Sequence, residues 1–138
     1  MDFSDLARKS AEFVANLQEW AEVAIMKNED KVVQLNIDQM LKSTKADGSP
    51  ILPLYSEGYA KKKGFSNPNL KVTGDFHNEM LLTVFGDQYN ITSSNFVTPF
   101  LENMYGTKIF NLNADSSKKA REMNGATLIE LYIKWLGQ

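Results

Sequence analysis

The chain has 138 residues, with 15 basic and 17 acidic side chains and a formal charge of −2. A balance this even argues against a dedicated nucleic-acid binder, which normally carries a basic excess or stripe. An apolar fraction of 43% with eight Phe, five Tyr and two Trp argues against disorder of the whole chain.

The length fits one domain spanning residues 1–138. The chain has no cysteine, so disulfide and thiolate chemistry are excluded. This suits a reducing compartment, and equally an assembly held together without disulfides. No apolar run approaches the ~20 residues needed to cross a bilayer, so no membrane partner is expected. The opening "MDFSDLARKSAEF" has no apolar signal core, and synthesis in the cytosol of the producing cell is the expectation.

Residues 1–27 read as an amphipathic helix. Phe3, Leu6, Phe13, Leu17, Trp20 and Ala24 recur at steps of three and four, and no Gly or Pro intervenes. Residues 29–42 are ambiguous between two periods. Val33, Leu35 and Ile37 alternate as in a strand, whereas Val33, Ile37, Met40 and Leu41 step as in a helix. A strand over 31–36 followed by a helical turn at 39–41 is the expectation.

A long structured connection then runs over 43–72, with Asp47-Gly48 as a turn near its start. Pro50, Pro53, Gly58, Gly64 and Pro68 punctuate it, and Ser56 is a natural cap for a helical turn at 57–63. Thr73-Gly74-Asp75 reads as a structural turn, with Thr73 or Asp75 capping a helical turn at 76–79. A hairpin follows, with strands at 79–85 and 88–93 and a reversal at Gly86-Asp87.

The C-terminal segment, 98–138, is expected to carry helices and one short strand. Thr98-Pro99 should open a helix ending at Gly106, with Thr98 as the cap. The strand is placed at 108–112. Ser116 or Ser117 should cap a polar helix that Asn124-Gly125 interrupts, and a last helix should cover 127–136. Together these elements give an α+β fold: a small, mostly antiparallel sheet of four strands with the N- and C-terminal helices packed on it.

Motifs for chemistry are sparse. There is one histidine, so neither a cysteine–histidine zinc site nor a two-histidine site can form within one chain. Asp75, His77 and Glu79 could be read as a hard-metal or acid–base cluster, but their spacing on a helical turn points alternate residues apart. A turn whose Asp75 and Asn78 satisfy backbone N–H groups is the simpler reading. No nucleophile elbow, phosphate-cradling P-loop or dinucleotide glycine fingerprint occurs. No cofactor is expected.

The sharpest local feature is Lys61-Lys62-Lys63, interleaved with Tyr55, Tyr59 and Phe65. It can be a solvated turn, a protein interface, or a stacking platform for nucleic acid. Leu81, Thr83 and Phe85 form the hairpin face opposite Met80, Leu82 and Val84. With Ile51, Leu52 and Leu54 they are apolar groups lacking an obvious internal partner. The interface candidates are therefore Tyr55, Tyr59, Lys61, Lys62, Lys63, Leu81 and Phe85.

Four segments in order, "DGSPILPLYSEGYAKKKG", "NLKVTGDFHNEM", "LLTVFGDQYNITSS" and "LENMYGTKIFNL", resemble the bacteriophage tail-completion proteins, the minor tail or virion-morphogenesis proteins of the neck. The resemblance covers residues 36–113. It rests on Leu54, Tyr59, Lys62 or Lys63, Thr73, Gly74, Phe76, Met80, Tyr105, Gly106, Phe110 and Leu112. Where the family often has a Pro-Arg-Pro-Phe-like segment this chain reads "GTKIF", which leaves open which joint of the particle it would occupy. The resemblance implies a non-enzymatic virion protein, repeated as a homo-oligomeric ring at the head–tail connector. Its partners would be portal, neck or tail proteins, with non-specific contact to passing DNA left open. The rival readings are a small protein- or nucleic-acid-binding module, and a small metal-dependent hydrolase centred on Asp75, His77 and Glu79.

Overall fold

A computed structural model describes residues 2–71 and 73–138. Met1 and Val72, the first residue of the expected N-terminal helix and the last of the expected connection, lie outside it. The described elements are helices α1 (Phe3–Ala15), α2 (Leu17–Lys27), α3 (Glu29–Leu41), α4 (Glu57–Lys63) and α5 (Asp75–Asn78), strands β1 (Met80–Phe85) and β2 (Gln88–Ser93), helix α6 (Thr98–Tyr105), a 3₁₀ turn at Thr107–Ile109, and helix α7 (Ala114–Leu136). The fold is α+β, with one two-stranded antiparallel sheet among the described residues.

The N-terminal helix forms as its period requires, capped by Asp2, whose carboxylate accepts the Asp5 N–H at 2.8 Å. It is two helices rather than one. Asn16 leaves helical geometry at φ −113° and ψ 27°, and its side-chain amide donates back to the Glu12 carbonyl. A short amide side chain that competes for backbone partners breaks a helix in this way. α1 and α2 pack along α7, and α2 with α3 carries this helical layer onto β1.

The strand expected at 31–36 is helix α3. Its buried positions are Val32, Val33, Asn36, Gln39 and Met40, steps of three and four that only a helix brings to one face. Two of the five are polar, so a count of apolar residues alone sees alternation instead. The strand expected at 108–112 is likewise absent. Thr107–Ile109 is a 3₁₀ turn, Phe110 is extended, and Asn111 is left-handed at φ 76°.

Both segments nevertheless flank the hairpin. The register pairs Met80 with Ser93, Leu82 with Ile91 and Val84 with Tyr89. The outward N–H of Leu82 donates to the Glu29 carboxylate of α3, and the outward N–H of Ile91 donates to the Asn111 side chain at 2.8 Å. Each edge of the sheet is thus answered by a side chain rather than a third backbone, which ends the ladder at two strands.

Two amides of α3 then hold the 109–113 segment. Asn36 donates to the Ile109 carbonyl and accepts the Asn111 N–H, at 3.0 and 2.8 Å. Gln39 donates to the Asn111 carbonyl and accepts the Asn113 N–H, at the same two distances. These bonds take the place of a strand's ladder. Around them Val32, Met40, Ile51, Ile91 and Ile109 are fully enclosed in one hydrophobic cluster.

α7 runs unbroken through Asn124-Gly125, contrary to the interruption and separate 127–136 helix expected there. Its cap is Asn113, which accepts the Ser116 N–H, rather than Ser116 or Ser117. A glycine inside a helix costs about 1 kcal/mol. Tertiary bonds offset this locally: the Asn28 amide, at the α2–α3 corner, meets Asn124 Oδ1 and Thr127 Oγ1 at 3.0 and 2.9 Å. Thr98 is not the cap of α6 but its first residue. Its hydroxyl donates to the Ser93 carbonyl, tying the helix to the end of β2.

Candidate interaction surface

The 43–72 connection is pinned at both ends and open in the middle. Ile51 at one end and Pro68 and Leu70 at the other are buried, so Ile51 is core and not one of the unpartnered apolar groups. Between them the Tyr55 N–H donates to the Ser66 carbonyl, closing an excursion that carries α4. Ser56 caps that helix by accepting the Tyr59 N–H, and Gly64 ends it at φ 86°, a conformation that costs glycine little.

The three lysines do different things. Lys63 Nζ donates to the Lys71 carbonyl at 2.6 Å. It also stands 5.8, 5.9 and 5.7 Å from the ring centroids of Tyr55, Tyr59 and Phe65. The aromatic platform is therefore already filled by the chain's own cation, and Lys63 is not left to face a partner. Lys61 and Lys62 are exposed and make no ion pair among the described residues.

Tyr55 and Tyr59 meet edge to face at 4.8 Å, and their other sides open onto a groove of about 730 Å³. One wall is the connection, with Pro53, Leu54, Tyr55 and Tyr59. The second is the structural turn, with Thr73, Gly74, Asp75 and Phe76. The third is α6 with the loop before it, including Phe96, Phe100 and Met104. Gly74, at φ 93°, is the cap of α5 in place of the expected Thr73 or Asp75, and the helix begins at Asp75 rather than Phe76 with no side-chain cap bond; the Thr73 hydroxyl accepts the Asp75 N–H at 3.4 Å. Burial pushes the phenols of Tyr55 and Tyr105 above their ordinary value of 10.

The apolar side chains at this groove remain in water. Phe96 is 90% exposed, Phe100 63%, Leu54 52% and Met104 45%. The structure thus brings together Tyr55, Tyr59, Thr73, Gly74 and Asp75, which the sequence had separated into an interface set and a turn. Leu81 and Phe85 are elsewhere, on the hairpin, where Leu81 is half-buried and Phe85 is 58% exposed.

Sequence reasoning missed the α6 wall. Phe96 follows "SSN" in what reads as a plain loop, and only the fold sets it beside Leu54. An aromatic two residues before a Thr-Pro helix start was the available signal.

Asp75, His77 and Glu79 do not converge. His77 is buried, whereas Asp75 is exposed and the Glu79 carboxylate accepts from the Asn95 side chain. Burial, with the Lys71 charge adding to it, lowers the His77 pKa from its ordinary 6.5. No group of three potential metal-ligating side chains occurs among the described residues, and no described helix is long and apolar enough to cross a membrane.

No family model, no curated protein and no solved structure matches this chain.

Proposed function

We propose that this chain is a non-enzymatic structural protein of a phage virion, of the head–tail connector or tail-completion type. In this reading it is made in the host bacterial cytoplasm, assembles as a homo-oligomeric ring, and joins portal and tail in the finished particle. Its partners are its own copies and the neighbouring portal, neck or tail proteins. Lys61 and Lys62 remain available to an acidic neighbour or to passing DNA.

One observation carries the reading. The folded chain exposes 8634 Å², whereas a compact monomer of its 15.6 kDa exposes roughly 7,200 Å². The surplus is close to what two standard contacts of about 800 Å² each would remove from one subunit. A ring subunit has two such neighbours. The groove leaves Leu54, Phe96, Phe100 and Met104 in water, and clustered exposed apolar side chains mark interaction sites.

The test is native mass, measured for the chain alone and with the portal and tail proteins encoded beside it. A ring, or a defined complex with one of those proteins, is the expected result. A chain that stays monomeric and unbound in every mixture would overturn the proposal.

A further inference from the structure

Both tryptophans of the chain meet at a second pocket, on elements that take no part in the groove. Glu12 near the end of α1, Asn16 at the break, and Glu19, Trp20 and Val23 of α2 line it on one side, and Trp135 of α7 lines it on the other, around a space of about 470 Å³. The two indoles are fixed from behind. Trp20 stacks on Phe13, with ring centroids 4.9 Å apart and planes 17° from parallel, and Phe13 is itself buried against Tyr132 at 5.0 Å. The Trp135 indole donates its N–H to the Lys9 carbonyl at 2.9 Å. The indoles stand 5.9 Å apart and inclined at 57°, so they do not close on each other face to face, and both are only half-buried.

The charge of this pocket is one-sided. Glu12 and Glu19 are the ionisable side chains among its lining residues. Glu12 is held by Arg8 at 3.0 Å, whereas Glu19, directly before Trp20, makes no ion pair among the described residues. Lys9 and Lys134, the basic neighbours along α1 and α7, do not line the pocket.

These features select among occupants. An apolar side chain seated here would strip water from the Glu19 carboxylate and return no partner for it. A small inorganic cation keeps its own water and needs several oxygen ligands, and no group of three potential metal-ligating side chains occurs among the described residues. A cation wrapped in methyl groups gives up little hydration, covers the rings with apolar surface, and is attracted by the indole faces and by the carboxylate together. Rings held in place beforehand bind without an ordering cost.

We propose that the Trp20–Trp135 pocket binds a quaternary ammonium headgroup, with the two indoles as its walls and the Glu19 carboxylate as its counter-charge. The site is separate from the groove and stands whether or not the chain forms a ring.

The chain reports on this site directly, because its two indole N–H groups are both there. The isotope-labelled full-length protein is titrated with tetramethylammonium and with choline, and the two indole N–H resonances are followed. A saturable shift of these signals is expected, absent with sodium chloride at equal ionic strength. Dimethylbutanol, the uncharged carbon isostere of choline, should bind about tenfold more weakly, because it lacks the attraction of a cation to two rings. Glu19→Gln, an exposed substitution whose thermal melt should match the parent, should weaken choline about threefold, as expected for one partly solvated charge pair. Sedimentation with phosphatidylcholine vesicles, against phosphatidylglycerol vesicles, separates the two sources of the headgroup. Capture by the first alone supports a lipid headgroup at this site, and choline binding without capture supports a soluble ligand. No saturable shift with either cation, an equal affinity for dimethylbutanol, or undiminished choline binding by Glu19→Gln would overturn the proposal.

Discussion

Two regions of this molecule solve the same problem in opposite ways. Around the hairpin, each edge is answered from within: Glu29 meets the outward N–H of Leu82, Asn111 meets that of Ile91, and Asn36 and Gln39 hold the 109–113 segment. At the groove, the connection and α6 approach each other and leave Leu54, Phe96 and Phe100 in water. Polar groups left unsatisfied in a core cost the fold directly. Apolar groups left exposed at a rim cost the monomer little and can be covered later by another protein. The first region is therefore where the fold is fixed, and the second is where association can be built without endangering it.

The largest effect expected from this contrast is at Asn36. Its side chain is fully buried and serves one backbone acceptor and one backbone donor. Asn36→Ala removes both partners and leaves a cavity, so a loss of about 3 kcal/mol is expected, at 1–3 kcal/mol for each buried group left unpaired. Urea unfolding measures it. A loss below about 1 kcal/mol would mean that the 109–113 segment is held by its apolar contacts instead.

That residue also shows where the sequence stops being legible. The hairpin was readable because its alternation and its Gly86-Asp87 reversal are local, and β2 falls at Gln88–Ser93 as expected. α4 was readable for the same reason: Ser56 caps it from the adjacent position. α3 was misread because Asn36 and Gln39 lie inside, and hydrophobic periodicity counts polar residues as outside. The 108–112 segment was misread because it has the composition of a strand but takes its hydrogen bonds from α3 amides. Of two asparagines, Asn16 was passed over inside an expected continuous helix, and Asn124 was judged a breaker by its local tendency alone. One does break its helix, while the other is held helical by Asn28 from 96 residues away. Of the residues at the groove, Tyr55 and Tyr59 were read from sequence as interface candidates, and Thr73-Gly74-Asp75 only as a structural turn. The α6 wall required knowing which distant segments become neighbours.

A middle-sized effect separates the three lysines. Lys63 contributes to the fold through three rings and the Lys71 carbonyl, so Lys63→Gln should cost about 1 kcal/mol. Joint charge reversal of Lys61 and Lys62 should stay within about 0.5 kcal/mol in the same unfolding assay while weakening assembly in a salt-dependent way. Equal costs for the two variants would mean that the aromatic cluster does not hold its cation and that the whole run is a solvated turn.

The smallest effect is zero at neutral pH and grows only on acidification. His77 sits where the two regions meet: its neighbour Phe76 lines the groove and also packs 5.8 Å from the core residue Phe110. His77 is buried, its Nε2 has no protein partner, and Lys71 adds a positive charge nearby. All of this favours the neutral ring, so its folded pKa lies below its ordinary 6.5. The sign follows from linkage. Below 6.5 the unfolded chain binds a proton that the folded chain refuses, so stability is complete above that pH and declines as the pH falls toward the folded value. Asp47, held at about 2 by its Ser49 hydrogen bonds, titrates far below this range. The effect of the single histidine is read between about pH 7 and 5.5, around its ordinary pKa, by comparing the parent with a chain that lacks it. Thermal midpoints should fall across that interval in the parent chain and stay level in His77→Gln, whatever offset the substitution brings at pH 7.5. A parent midpoint that does not move would mean that protonated His77 is accommodated, and hence that the wall between core and groove admits water in the folded state.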